Sequence, residues 1–509
     1  PVNPPLLEII DVTVMKGGQA AARHLHFTLE EGQQWAVVGY PEDAKRLFLE
    51  LLAGRAPVTH GVIRHHYADD YLALPGDGTY RTHHDLVCFV PFHHHFRNKS
   101  NIPNFYYQQR FNSTEAEDAA TVTEYLQGII SKNPNISWGV GEAMTLFGLA
   151  PLADKNLIKL SNGETRRLML AAALVRNPRL LLLDHPLVGL DADTRRNFDG
   201  ILRAITASGI HVVMTTTPHE VPSCITHVAV VRDEAVIEQG PRGSIRWESL
   251  APSAGPPPLP ETFEATLHDL IGPRPEMPAA EVVDMRKVTV RYGDNVILDG
   301  VDWRVVSGDA WALQGHNGAG KSTLLSLING DNPQAYRNEI FLFGRRRGTG
   351  ESIWDIKKKI GYVSPELHQY FPKTQTAWQV VLSGLFDTVG LFRNVSASQR
   401  ETALRWLRLF GMDDAARLRL AQLSPDRQRL CLLARALIKN PELLILDEPC
   451  QGLGPNHRDL FKKLVDELHR IMDTTLIYVS HYAEDIPSCV TNYIRLERGK
   501  IIENSGNDA

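Results

Sequence analysis

The 509-residue chain has little cysteine, no long apolar run and no large excess of either charge. Five cysteines (Cys88, Cys224, Cys431, Cys450, Cys489) are scattered without a C-x-x-C pair, and their number is odd. That excludes a disulfide framework and a thiolate zinc site, and a reducing, cytoplasmic compartment is expected. No stretch approaches the roughly 18 continuous apolar residues that span a bilayer, so a membrane role is expected to go through a partner. The opening P-V-N-P-P-L-L-E lacks the basic-then-apolar pattern of a signal peptide. A formal net charge of −5 supplies no global basic field of the kind that tracks a phosphate backbone. What the chain does have is 43% apolar and 22% charged residues, enough for packed cores and too much order-forming content for a disordered or fibrous chain.

The sequence repeats itself once. Val12-Thr13-Val14 recurs as Val288-Thr289-Val290, Gly32 as Gly308, Trp35 as Trp311 and Gly39 as Gly315, all at an offset of 276. Leu160-Ser161 recurs at Leu423-Ser424, Asn177-Pro178 at Asn440-Pro441 and Asp184 at Asp447, at an offset of 263, so the first copy holds 13 extra residues between its halves. P-S-C-I-T at 222–226 returns as P-S-C-V-T at 487–491, at an offset of 265. Two domains follow, 1–240 and 281–509, joined by 241–280. Clustered prolines in P-S-A-G-P-P-P-L-P make that stretch a semi-rigid spacer. In each copy short solid apolar runs (L-L-L-L-D, H-V-V-M-T; L-L-I-L-D, T-L-I-Y-V-S) alternate with helical patterns, which indicates a parallel sheet between helix layers and an α/β class.

The second copy carries a complete phosphate-binding pattern. Gly315-His316-Asn317-Gly318-Ala319-Gly320-Lys321-Ser322-Thr323 follows a strand and opens a helix. Glycines let backbone N–H groups curl around a triphosphate, Lys321 neutralises the β- and γ-phosphates, and Ser322 is placed to coordinate Mg²⁺. The strand L-L-I-L ends in Asp447-Glu448: the aspartate would hold the magnesium, and the glutamate would polarise the attacking water. The next strand delivers His481, whose imidazole is placed for the γ-phosphate.

At this point the chain resembles the ATP-binding cassette (ABC) ATPases, because both copies also carry that family's signature region. The resemblance covers nearly everything outside the spacer. It implies two P-loop nucleotide-binding domains, each with a parallel-sheet core, a small antiparallel β part and a helical subdomain. It further implies ATP and Mg²⁺ as cofactors, ATP hydrolysis as the reaction, and Tyr292 as the residue stacking on adenine. In the family two domains pair head to tail, so that each ATP lies between one domain's phosphate loop and the other's signature. Segments 324–336, 342–364 and 479–487 resemble a tandem-cassette subgroup associated with molybdate transport.

The two copies are not equivalent. In the first loop, 39–47, Lys45 stands opposite Lys321, but Glu42 replaces Gly318, Ala44 replaces Gly320, and Arg46 replaces Ser322; Pro41 removes one N–H. His185 replaces the acid Glu448, Thr216 aligns with the switch histidine, His219 lies out of register, and Lys16 replaces Tyr292. The signatures show the opposite asymmetry. The first reads Leu160-Ser161-Asn162-Gly163-Glu164 and is followed by Gly189-Leu190-Asp191; the second reads Leu423-Ser424-Pro425-Asp426-Arg427, followed by Gly452-Leu453-Gly454. Pairing would therefore join Lys321, Ser322, Asp447, Glu448 and His481 with Ser161, Asn162, Gly163, Glu164 and Asp191 in one intact site, and collect every loss in the other.

The remaining features have plainer readings. Eight of the 20 histidines lie between 60 and 95, without a spacing that sets up a tetrahedral metal site. The aromatic and basic run 96–111 reads as a partner-facing or packing segment. The family's sensing glutamine is absent in both copies, with Phe92 and Pro365 in its place and Gln108 or Gln109 as stand-ins, and Arg345-Arg346-Arg347 reads as a solvated turn. Three functions follow: an ATPase that powers or regulates a transporter with separate membrane permease subunits, a soluble cassette protein acting on ribosomes or nucleic acid, and a nucleotide-gated interaction module. Acidic balance and the lack of a long charged helical linker weigh against the second.

Overall fold

A computed structural model describes residues 5–16, 19–40, 42–75, 80–92, 120–157, 160, 162–188, 190, 192–232, 235–247, 259–271, 280–293, 295–316, 318–451, 453, 455–480 and 482–507. The chain forms two compact units, whose described residues lie within 5–247 and 259–507.

The strands of the first unit are β1 (Leu7–Lys16), β2 (Gln19–Leu29), β3 (Trp35–Tyr40), β4 (His60–Arg64), β5 (Val87–Val90), β6 (Leu180–Leu183), β7 (His211–Thr215), β8 (His227–Arg232) and β9 (Ala235–Pro241). They build an antiparallel sheet in the order β2-β1-β4 and a six-stranded sheet in the order β5-β6-β7-β3-β8-β9. In the larger sheet only the β8–β9 pair is antiparallel. The helices Val122–Gln127, Val140–Leu146 and Asn162–Val175 supply the helical part.

The second unit contains β10 (Glu281–Tyr292), β11 (Asn295–Val306), β12 (Ala310–Gln314), β13 (Glu339–Leu342), β14 (Arg345–Arg346), β15 (Ile360–Val363), β16 (Leu443–Asp447), β17 (Thr475–Val479), β18 (Asn492–Glu497) and β19 (Lys500–Asn504). Its sheets run β11-β10-β13-β14 and β15-β16-β17-β12-β18-β19, so the larger one repeats the first unit's order strand for strand. Every residue of β16 and β17 is buried. That explains their largely apolar sequence: a parallel strand covered on both faces has no polar side to present. The expected α/β architecture of paired P-loop cassettes is therefore present in both halves.

Within the 241–280 stretch, the structure forms the helix Phe263–Ile271. Phe263 and Leu267, one turn apart, enter the second unit's helical core beside Trp406, Leu433 and Leu468. Burying the two side chains contributes about 1.5–3 kcal/mol each. Arg470 fastens the outer face through Glu264 at 2.7 Å. Of the arginine run, Arg345 and Arg346 are exposed as expected, but Arg347 is buried, paired with Glu351 at 2.6 Å and set over the Tyr336 ring.

The parallel register places the chemistry. β12 pairs with β17 through Leu313 and Val479, and β16 pairs with β17 through Asp447 and Val479. The 315–323 loop, the 447–448 acids and the residues after Val479 thus leave the sheet at one carboxyl edge, where open α/β sheets bind ligands.

Candidate nucleotide site

In the second unit the loop is built on glycines that no other residue could replace without rearrangement. Gly315 has φ +145°, and a Cβ there would lie 2.5 Å from the Leu496 carbonyl oxygen. Gly320 has φ +106° and caps the helix Lys321–Ile328; its Cβ would meet the Leu298 side chain at 2.7 Å and the Ile297 oxygen at 3.0 Å. Both conformations lie in the left-handed region, which side chains rarely occupy. The loop is fastened from outside, since the Gly499 amide donates to the Ala319 carbonyl at 3.0 Å. Gly318 has open space where a Cβ would stand. His316 and Ser322 are exposed, Thr323 is half-buried and Ala319 is buried beneath the loop.

Lys321 is buried, and its ammonium donates to the carbonyls of Gly315 at 2.6 Å and His316 at 3.1 Å. The loop is curled around its own lysine, in a shape that presents a cation to an anionic group. Burial pushes this ammonium below the ordinary lysine range, while Glu448 and Asp447 act in the opposite direction. The structure thus brings Lys321 and both acids into one electrostatic site. Glu448, just past β16, has φ +45°, and its amide donates to the Val479 carbonyl at 3.0 Å. A left-handed glutamate is uncommon, and such strain persists where surrounding contacts impose it.

Tyr292, a residue 40% exposed, ends β10, and its hydroxyl accepts from Asn332 Nδ2 at 3.1 Å. Asn332 is itself buried and also donates to Ser326 Oγ at 3.2 Å. Sequence alone does not reveal this anchor, since N-P-Q-A-Y reads only as a turn.

The first unit keeps the scaffold and fills the site with protein. Gly39 retains φ +115°, with a Cβ position 1.8 Å from the Val231 oxygen. Beyond it the helix Glu42–Leu52 begins at the position equivalent to Gly318, whereas the second unit's helix begins at Lys321. Residues that form an open loop in one copy are wound into a helical turn in the other. Lys45 is 1% exposed and donates to the Thr216 carbonyl at 3.3 Å. Arg46, in place of the hydroxyl, pairs with Glu50 at 3.1 Å. Asp184 accepts from Thr215 Oγ1 at 2.8 Å and from the Phe92 amide at 3.3 Å. His185 repeats the left-handed backbone of Glu448, at φ +45°. β3 pairs Trp35 with Val213, and β12 pairs Trp311 with Ile477, an offset of 264 in this strand. The turns that follow, Pro218–Glu220 and Ala483–Asp485, are already at 265, so the extra residue enters directly after the strand.

The first signature opens the helix Asn162–Val175; Gly163 is buried, and Glu164 pairs with Lys155 at 2.6 Å. Ser161, Asp191, Asn317 and His481 lie outside the described residues, as do the histidines at 93–95, Gln108 and Gln109, and Gly189, Gly452 and Gly454. Among the described histidines, His65 and His83 stack face to face, with centroids 4.0 Å apart. Among the described residues no group of three or more His, Cys, Asp or Glu side chains is arranged to hold a metal. No helix there is long and apolar enough to cross a membrane.

Two buried arginines are functional candidates that sequence reasoning misses. Arg166 and Arg429, equivalent at the 263 offset, reach from the two signature helices to backbone carbonyls at or just past the strand ends, Asp184 and His185 in the first unit and Gln451 in the second. In a helical pattern such residues read as a solvated face, and no single-sequence signal marks them otherwise.

Doubled parallel sheets with a glycine cradle and strand-end acids define the class, and the family model described as ABC transporter matches residues 22–188 and 298–451. The chain belongs to this family of ABC ATPases, which hydrolyse ATP. It is 34% identical over 501 residues to the ABC transporter ATP-binding protein ModF of Escherichia coli, covering 96% of each chain. It is 29% identical over 496 residues to an uncharacterised ABC transporter ATP-binding protein of Schizosaccharomyces pombe, covering 94% of this chain and 95% of that one. Among solved structures, cbiO1 from Clostridium perfringens, part of the cbiONQ complex, superposes with a TM-score of 0.39 at 22% identity, over 44% of this chain and 88% of that chain.

Proposed function

We propose that the chain is a tandem ATPase with a single hydrolytic site, formed by the second domain's loop and acids together with the first domain's signature. Glycine backbone at 315–320 cradles the phosphates, Lys321 neutralises them, and Tyr292 stacks on the base. Ser322 and Asp447 are the donors for Mg²⁺, a hard cation that prefers a hydroxyl and a carboxylate, and the ion would neutralise phosphate charge. Glu448 accepts the proton of the hydrolytic water, and His481 contacts the γ-phosphate. Ser161, Asn162, Gly163, Glu164 and Asp191 complete the site from the first domain, paired head to tail within one chain or between two.

The observation that carries this reading is the sorting of losses. The loop is intact only in the second copy, the signature glycine at 163 survives only in the first, and independent drift does not sort defects into one composite site. The cargo machinery is proposed to be separate permease subunits within a membrane, which this chain engages from the cytoplasmic face, with a molybdate-type oxyanion as cargo. Replacing Glu448 with Gln tests the reading: steady-state hydrolysis falls by at least about 10² while ATP binding persists. An ATP-trapped Glu448→Gln chain then captures membrane permease subunits; capture of ribosomes in their place would overturn the transport assignment.

A further inference from the structure

Arg429 lies in the helix Pro425–Leu437, which the degenerate second signature opens. Its side chain is only 2% exposed. Nη2 donates to the Gln451 carbonyl at 3.2 Å, and the Gln451 amide donates to the Glu448 carbonyl at 3.1 Å. The turn from Glu448 to Gln451 is therefore closed on itself, with the left-handed glutamate at its head and Arg429 gripping its tail. The second guanidinium nitrogen, Nη1, is buried without a hydrogen-bond partner.

A guanidinium taken out of water with one carbonyl bond is costly unless opposite charge surrounds it. Removal from water does push it down to about 10, and the Cys450 thiol and the carboxylates of Glu448, Glu366 and Asp447 act against that. The equivalent Arg166 is used differently. It donates from Nη1 to the Pro91 carbonyl and from Nη2 to those of Asp184 and His185, so both terminal nitrogens are spent on backbone in the domain where histidine replaces the glutamate. The helix that carries Arg429 is also anchored. The preceding residue, Gln428, has its Oε1 2.7 Å from His368 Nε2 and accepts from Lys373 Nζ at 3.1 Å, both on the segment that follows β15.

We propose that Arg429 is a positioning residue for Glu448: it holds the turn Glu448–Gln451 closed from behind the strand end, and so keeps the carboxylate where the hydrolytic water needs it. The second signature helix, stripped of its glycines, thereby retains a task inside its own domain. This rests on the reading of Glu448 as the base.

The full-length chain tests it with Arg429→Met and Arg429→Lys, each alone and combined with Glu448→Gln. Arg429→Met is expected to lower kcat about tenfold or more, with KM and ATP affinity within about threefold of the parent, and to add nothing to the loss in Glu448→Gln. Arg429→Lys keeps the charge without the fork and loses about threefold to fivefold. In the nucleotide-free chain, amide exchange across 448–451 accelerates at least about tenfold in Arg429→Met while β18 is unchanged. Should the methionine variant not fold, the lysine variant carries both measurements. Parent-like kcat with unchanged exchange overturns the proposal, and so does a parallel loss of kcat and ATP affinity, which marks a general structural role. If Glu448→Gln hydrolysed ATP at the parent rate, the base assignment would fall instead; the exchange result, needing no nucleotide, tells the two failures apart.

Discussion

The two domains share a strand order, a left-handed residue just past β6 and β16 at 185 and 448, and a buried arginine beneath it. They differ in what happens in the three residues before the lysine. In the second domain Gly318-Ala319-Gly320 stays open and Gly320 caps the helix; in the first Glu42-Asp43-Ala44 is already helical. Winding those residues puts a helical turn where the second domain keeps an open loop. The lesson is that the open loop can be lost without unfolding the domain: the scaffold survives because the core needs it, while the loop residues wind into a helical turn and the lysine is buried against the Thr216 carbonyl.

The sharpest way to break this contrast is to remove each lysine in turn. Lys321→Ala is expected to lower hydrolysis by about 10² or more, whereas Lys45→Ala changes it less than about threefold. Equal damage would mean that both loops work, and the asymmetric reading would be wrong. The next test exchanges the helix-start residues. Gly320→Ala places a methyl against Leu298 and Ile297 and demands a positive φ, so ATP affinity is expected to drop about tenfold. The reciprocal Ala44→Gly costs about 1 kcal/mol of stability with hydrolysis unchanged, read by melting and phosphate release. Smaller still is the base contact: Tyr292→Ala costs about tenfold or less in ATP affinity through lost stacking, and Tyr292→Phe, which removes only the hydroxyl bonded to Asn332, less than about threefold.

Much of this architecture is legible in the sequence because the physics is local. Solid apolar runs such as L-L-I-L and H-V-V-M-T admit one environment, a strand covered on both faces, and Gly315 and Gly320 announce backbone that needs positive φ. The 276 and 263 offsets then carry the comparison from one copy to the other. The helical winding of 42–44 is not legible, since Glu-Asp-Ala suits both a helical first turn and a solvated loop. Phe263–Ile271 is hidden among prolines, although Phe263, Leu267, Leu270 and Ile271 fall on one helical face. Arg166, Arg429 and Asn332 cannot be found from sequence at all: their burial is created by long-range packing, and a polar residue in a helix or turn carries no mark of it.

The smallest expected effect bears most directly on what the first loop has become. Lys45 is almost fully buried, and its ammonium is held by the Thr216 carbonyl, with Arg46 and Asp184 committed to partners within the same domain. If it serves only as packing, Lys45→Met keeps most of the aliphatic stem and removes the cost of a buried cation. Stability is then expected to change by about 1 kcal/mol or less, in either direction, because replacing a buried charged group by a similar apolar volume is often neutral. Removing only the charge is cleaner than truncation here: Lys45→Ala also opens a cavity and costs about 2–3 kcal/mol on packing grounds alone. A melting curve for the methionine variant, taken with and without ATP-Mg²⁺, separates the cases. An unchanged ATP-dependent shift assigns the lysine to the core. A shift that shrinks in Lys45→Met would show that the wound loop still contacts nucleotide, and that the two copies differ in degree and not in kind.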